Sequence, residues 1–294
     1  MNILSVNILR RWIPPILFEL MNSFRASYLG HIFAEQLKSN KVLAGRHSGE
    51  RCFIVGSGPS LKSQDISRLA DENVILLNNF FVHPLFSQIV EGAGTKYYLS
   101  APTHPPQTRQ EWKDWYQAMA AVMPPRVEML FGLARYKDCT ASIIEELGLF
   151  DSQRKYWYLP GRRYDPNLFN GNEKYLSADH VMLTARAASI YGLIWAVFFG
   201  FSEIILLGMD HNYILFEYES EMRMYEKGVH QNNELARTFG DSFYTQEFLR
   251  QYEIFSEYTF IRDHSRARIL NATTGGLLRV FPRIVLDDLW SNEY

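Results

Sequence analysis

Between Arg51 and Leu61 the chain reads RCFIVGSGPSL, an unbroken apolar run that stops at Gly56-Ser57-Gly58-Pro59-Ser60. A run without polar alternation is the pattern of a strand covered on both faces, and such strands need helices on either side of a parallel sheet. The turn that follows adds a second constraint. Its glycines permit close backbone approach, its proline suits a helix start, and the backbone N–H groups of such a turn can face an anion. The spacing is not the dinucleotide fingerprint, because Leu61 stands where the third glycine belongs, and no Gly-Lys-Ser/Thr follows to make a P-loop. A tight strand-to-helix turn that binds nothing fits the same residues.

The pattern recurs. VILLNN (74–79), TKYYLS (95–100), VEMLFG (127–132) and EIILLGMD (203–210) are further strand candidates, and RILN (268–271) closes the series. An amphipathic helix is predicted over 109–122, with Trp112, Trp115, Tyr116 and Met119 on one side. A long apolar helix is predicted over 182–199, ended by Gly200, and an amphipathic one over 243–268 with Phe248, Tyr252, Phe255 and Tyr258 or Thr259 in helical spacing. This succession predicts an α/β fold with a mostly parallel sheet flanked by helices. Residues 1–48 read as an N-terminal helical segment and 49–294 as the domain proper. Within the domain, the Gly-, Pro- and Asn-rich stretch near 133–180 and the polar stretch near 213–242 read as lid insertions.

Composition excludes several classes. A formal net charge of -2 gives no electrostatic reason to expect nucleic acid, whose binders usually carry a concentrated basic surface. Cys52 and Cys139 are far apart and lack metal-type spacing, so neither a disulfide framework nor a zinc site is expected, and a reducing cytoplasm is the natural compartment. The N-terminus, MNILSVNILRRWIPPILFELMNSF, resembles a signal peptide at first sight. Arg10 and Arg11 interrupt its apolar run, and Pro14, Pro15 and Glu19 break it too often to span a bilayer. Two readings stay open for residues 1–25: a segment lying at a membrane interface, or a helix packed on the domain or on another subunit.

Ligands of open α/β sheets sit at the carboxyl ends of strands. Here those ends carry Gly56 to Ser60, Asn78 and Asn79, Ser100 to His104, Asp210 to Tyr213, and Asn271 to Gly276. Asparagine amides both donate and accept, as base and ribose edges require, and Gly-Ser turns suit phosphate. Asp210 with His211 beside it is the nearest approach to a metal site, but no second carboxylate or HxxxH spacing accompanies the pair, and an Asp after a strand also caps turns. No GxSxG elbow or HExxH helix is present.

GSGPSLK, LLNNFF, GFSEIILLGMDHNY and ILNATTGGLLRVFPRI together resemble the superfamily that joins the archaeal hydroxymethylpterin pyrophosphokinase-like proteins to the motility-associated-factor flagellin glycosyltransferases. The CMP-sialic-acid-dependent bacterial sialyltransferases are its more distant relatives. The resemblance covers about Arg51 to Ile284 and leaves the N-terminal segment outside. It implies a Rossmann-like nucleotide-binding domain with a lid, using a CMP-activated nonulosonic acid as donor and requiring no metal or other cofactor. By position, Gly56, Ser57, Gly58 and Ser60 would hold phosphate and ribose, and Asn78 would contact the nucleotide, with Asn79 in place of a neighbouring glutamine. Asp210, His211 and the Thr273-Thr274-Gly275 turn would complete the nucleotide pocket. Tyr218 matches the second of two phosphate-stabilising tyrosines, and Tyr213 is displaced by one position from the first. Ala101 stands where the sialyltransferases place another asparagine, and Ala188 where they place a nucleotide-contacting serine, with Ser189 adjacent. His230 would be the general base, an imidazole suited to proton removal near neutral pH. The less regular loops around Arg162 and His230 would select the sugar.

The expected protein is thus a cytoplasmic glycosyltransferase, peripheral on the inner membrane through residues 1–25, with a homo-oligomer left open. It would pass a sugar with inversion to a glycan, glycolipid or protein acceptor, as in lipopolysaccharide or capsule synthesis. Two alternatives stand beside it: a pyrophosphokinase using ATP and Mg, with Asp210 as metal ligand, and a non-enzymatic polysaccharide-assembly protein.

Overall fold

The computed structural model describes residues 13–104, 107–135, 138–163, 173–215, 223–225 and 243–291. Eight strands form one all-parallel sheet: β1 Arg51–Val55, β2 Val74–Leu77, β3 Lys96–Ser100, β4 Glu128–Gly132, β5 Lys155–Arg163, β6 Val181–Thr184, β7 Glu203–Leu207 and β8 Arg268–Asn271. Their order is β6-β5-β4-β3-β2-β1-β7-β8. From β1 the chain steps outward to β6, crosses back, and adds β7 and β8 on the other side of β1. That reversal makes the β1–β7 junction the topological switch point of a Rossmann-like α/β fold.

The helices among the described residues are α1 Pro15–Ile32, α2 Ala34–Lys38, α3 Phe86–Glu91, α4 Arg109–Val122, α5 Thr140–Leu147, α6 Ala188–Phe199, α7 Phe243–His264 and α8 Asp288–Ser291. They cover both faces. In β1, Cys52 and Ile54 pack with α6 and α7, while Phe53 and Val55 pack with the side chains of α3, α4 and α5. Both sets of β1 side chains are fully buried, which is why the strand shows no polar alternation. Helix α4 forms as predicted, its start fixed by a capping box between Thr108 and Glu111. Trp112, Trp115, Tyr116 and Met119 are its buried residues.

Three expectations need correction. The stretch 133–180 contains helix α5 and strand β5 rather than forming a lid; only 164–172 within it, with 136–137, lies outside the described residues. Pro160 and Gly161 disguise β5 as loop. The strand pairs with β4 through Lys155 to Tyr158 and with β6 from Leu159 onward, so Pro160 sits past the β4 ladder, beside the irregularity where the β6 register shifts. The apolar helix begins at Ala188, because Val181 to Thr184 pair as strand β6 instead. In α7 only the second half of the aromatic row turns inward: Tyr258 is buried and Phe255 packs against the core, whereas Phe248 and Tyr252 are 60% and 56% exposed and the inward face at their level is formed by Glu247, Gln251 and Ile254.

The N-terminal helices are docked on the sheet. Ala26 and Leu29 of α1 and Leu37 of α2 pack with Leu159 of β5 and Val181 of β6. Glu19 of α1 forms an ion pair with the buried Arg162 of β5, so Arg162 is a structural partner of α1 and not a free sugar-facing side chain. Among the described residues no helix is long and apolar enough to cross a membrane.

Candidate functional site

The turns after β1, β7 and β8 interlock at the switch point. Gly56 N–H donates to the Leu207 carbonyl at 2.9 Å and Gly58 N–H to the Gly208 carbonyl at 3.0 Å. Asp210 accepts from Ser60 N–H at 3.2 Å and from Ser60 Oγ at 2.8 Å. Its carboxylate therefore caps the turn of the neighbouring strand, the role that turn chemistry offered beside metal binding. Burial raises its pKa, partly offset by the Ser60 hydrogen bonds. Met209 N–H donates to Thr273 Oγ1 at 3.0 Å, and Arg283 donates to the Thr273 and Gly276 carbonyls at 2.9 Å each.

The glycines are needed for this bracing. A Cβ at Gly56 would lie 2.6 Å from the Gly208 carbonyl oxygen, and one at Gly58 would meet the same oxygen and overlap Asp210 Oδ2. Their bare faces look into the β7 turn, and Ser60 gives its hydroxyl proton to Asp210. The surface left to a ligand is the half-buried Ser57 together with exposed Thr274 and Gly275. Thr274 N–H also reaches Gln64 Oε1 at 3.4 Å, which ties the β8 turn back to the β1 turn.

His211 follows directly. Its backbone holds φ +48, a left-handed conformation uncommon for a non-glycine residue, and its ring is buried. Nε2 shares a hydrogen bond with Tyr258 Oη at 2.8 Å, and Tyr258 Oη shares another with Ser189 Oγ, in the first turn of α6, at 2.5 Å. Burial, helped by the nearby Arg250 and Arg223 charges, pushes His211 down to about 3, so the ring is neutral at physiological pH. Nδ1 of His211 and Oδ1 of the adjacent buried Asn212 have no hydrogen-bond partner among the described residues. Buried polar atoms are seldom left unpaired, so these two are the strongest local sign of a polar ligand. Glu257, next to Tyr258, is 2% exposed, accepts from Arg186 N–H at 3.0 Å, and is pushed up by burial to about 8.

The remaining candidates divide. Asn78 and Asn79 follow β2, one strand from β1. Asn78 also holds a left-handed backbone, at φ +49, and accepts from Ala101 N–H at 3.3 Å. The Asn79 amide is held between Trp115 Nε1 at 2.5 Å and Tyr225 Oη at 2.6 Å. Residues 223–225 thereby lie over the site, since Met224 N–H donates to the Ser57 carbonyl at 3.0 Å and Arg223 bonds the hydroxyl of Tyr213. Tyr218 and His230 lie outside the described residues.

The sequence reading missed Tyr258, Glu257, Arg283 and Tyr225 as site residues. A signal for the first two existed: Glu247 and Gln251 stand in the same helical row as Ile254, Tyr258 and Ile261, so polar residues interrupt an apolar face where that face meets the strand ends. The chain matches no protein-family model and no curated protein, and the character of this site is therefore read from its geometry.

Proposed function

We propose that the protein is a glycosyltransferase that binds a nucleotide-activated sugar at the β1–β7 switch point, with a CMP-activated nonulosonic acid as donor. The observation that carries this is the pair of buried polar atoms, His211 Nδ1 and Asn212 Oδ1, that have no hydrogen-bond partner among the described residues, at the carboxyl end of β7 beside the Gly56 to Ser60 turn. Supporting it are the exposed Thr274 and Gly275 of the third turn and the 223–225 strand of chain that crosses Ser57.

In the transfer, an acceptor hydroxyl oxygen would bond to the anomeric carbon as the bond from that carbon to the phosphate oxygen breaks. The hydroxyl proton goes to a base and the bonding pair leaves on the phosphate. His211, held at about 3, is too weak a base for this step and acts as a neutral hydrogen-bonding group instead. The base is assigned to His230, with Tyr213 and Tyr218 as hydroxyl donors to the leaving phosphate. The acceptor is a surface glycan or glycolipid.

A thermal-shift comparison of CMP, CDP, UDP, GDP and ATP, followed by CMP-release assays in chelator, tests this reading. CMP at a hundredfold excess over its Kd should stabilise by about 2.7 kcal/mol, and turnover should survive chelator. Stabilisation by ATP with magnesium and none by CMP would replace the transferase with a pyrophosphokinase.

A further inference from the structure

Helix α1 is apolar on the wrong side. Its inward residues include Glu19, Asn22, Ala26 and Leu29, whereas Ile16, Leu20, Phe24, Tyr28 and Ile32 follow one another at i+4 spacing along the outward side, each between 42% and 73% exposed. Leu17 and Met21 widen the row, at 49% and 54% exposed. A monomeric protein rarely leaves such a stripe to water.

Charge identifies what covers it. Glu19 points inward to Arg162, so the carboxylate of α1 is withdrawn from the exposed face. Arg25 is exposed at its flank, and Lys38 and Lys41 are exposed beside a cavity of about 300 Å³ that lies against α1 and is also lined by Lys174, Asp179 and His180. Residues 1–48 hold six Lys or Arg against two Glu, a charge of +4 in a chain whose net charge is -2. A second copy of the same face would bring like charges together. Its area also falls short: an 18-residue helix is about 27 Å long and about 10 Å across, well under the ~800 Å² per partner of a standard interface.

We propose that α1 seats this protein on an anionic phospholipid surface, its outward apolar row in the headgroup–acyl boundary and Arg25, Lys38 and Lys41 on the lipid phosphates. The surface is separate from the candidate site. Helix α1 packs over β5 and β6, and β5 stands four strand positions from β1, about 19 Å at the usual spacing. A docked molecule thus keeps its switch point open to a ligand from solution and to an acceptor carried by the same membrane.

Vesicle co-sedimentation of the full chain tests this. Binding to vesicles of equal parts phosphatidylserine and phosphatidylcholine should exceed binding to phosphatidylcholine alone by about tenfold. The double variant Leu20→Glu/Phe24→Glu should lose binding to both while keeping its melting temperature. Lys38→Glu/Lys41→Glu should keep the weak neutral-vesicle binding and lose the anionic preference. Absence of wild-type binding to anionic vesicles overturns the proposal, as does unchanged binding by Leu20→Glu/Phe24→Glu. A wild-type dimer in solution that this variant turns monomeric, with no vesicle binding, would assign the face to a second copy instead.

Discussion

Two regions of the sheet, its interior switch point and its β6 edge, are closed by different means. At the β1–β7 switch the turns are braced backbone to backbone, with Gly58 N–H on the Gly208 carbonyl and Asp210 on Ser60. At the β5–β6 edge the sheet is closed by side-chain ends, Ala26 and Leu29 on Leu159 and Val181, and by the Glu19–Arg162 ion pair. The unused groups differ as well. Among the described residues, buried polar atoms without a hydrogen-bond partner remain at the switch, on His211 and Asn212, and exposed apolar side chains at the edge. The two proposals follow this division, a polar ligand at the switch and a lipid surface at the edge.

The contrast is sharpest for glycine. Gly58→Ala forces a Cβ into Asp210 and the Gly208 carbonyl, neither of which can yield without unpicking the turns. It should cost about 3 kcal/mol in denaturant unfolding and abolish nucleotide-induced stabilisation. A value below about 1 kcal/mol would mean that the bracing is slack.

Next in size is a pH effect confined to the switch end. Glu257 is raised by burial from 4.5 to about 8, so the stability tied to its protonated form is complete below 4.5 and lost as pH rises through 8. His211 is lowered by burial from 6.5 to about 3, so its contribution is present above 6.5 and lost as pH falls through 3. The two slopes oppose each other between 4.5 and 6.5. From 6.5 to 8 Glu257 acts alone, lowering stability by about 2 kcal/mol at about 1.4 kcal/mol per pH unit. Glu257→Gln should flatten that alkaline limb in a pH series of melting curves. An unchanged limb would place its origin elsewhere.

At the edge the effects are smaller. Gly161→Ala meets Val181 Cγ1 at 2.6 Å and Leu29 Cδ1 at 3.2 Å, ends of side chains that can shift, and should cost about 1 kcal/mol. A cost equal to that of Gly58→Ala would erase the distinction. Smallest of all, Leu20→Glu/Phe24→Glu should change stability by no more than about 0.5 kcal/mol, because both side chains already face water. A larger loss would mean that the row supports the fold.

The same contrast governs what the sequence discloses. Strands β1, β2, β3, β4, β7 and β8 are legible because burial on both faces leaves unbroken apolar runs. Strand β5 is not, since its change of partner puts Pro160 and Gly161 inside a strand. Nor is β6, whose Val181 to Leu183 suits a strand or a helix until β5 pairs with it. The site is partly legible in the same way. Gly56 to Ser60, Asp210 and Thr273 stand at strand ends and announce themselves by residue type. Tyr258 and Glu257 are hidden inside a helix, and their importance arises only from its packing against His211, Ser189 and Arg186.

A crystal structure of the protein grown with saturating CMP tests whether the switch point receives a nucleotide. The phosphate is expected at the Ser57 and Thr274-Gly275 turns and a polar nucleotide atom on His211 Nδ1 or Asn212 Oδ1. CMP seated elsewhere, or an empty switch point at saturation, would contradict that placement.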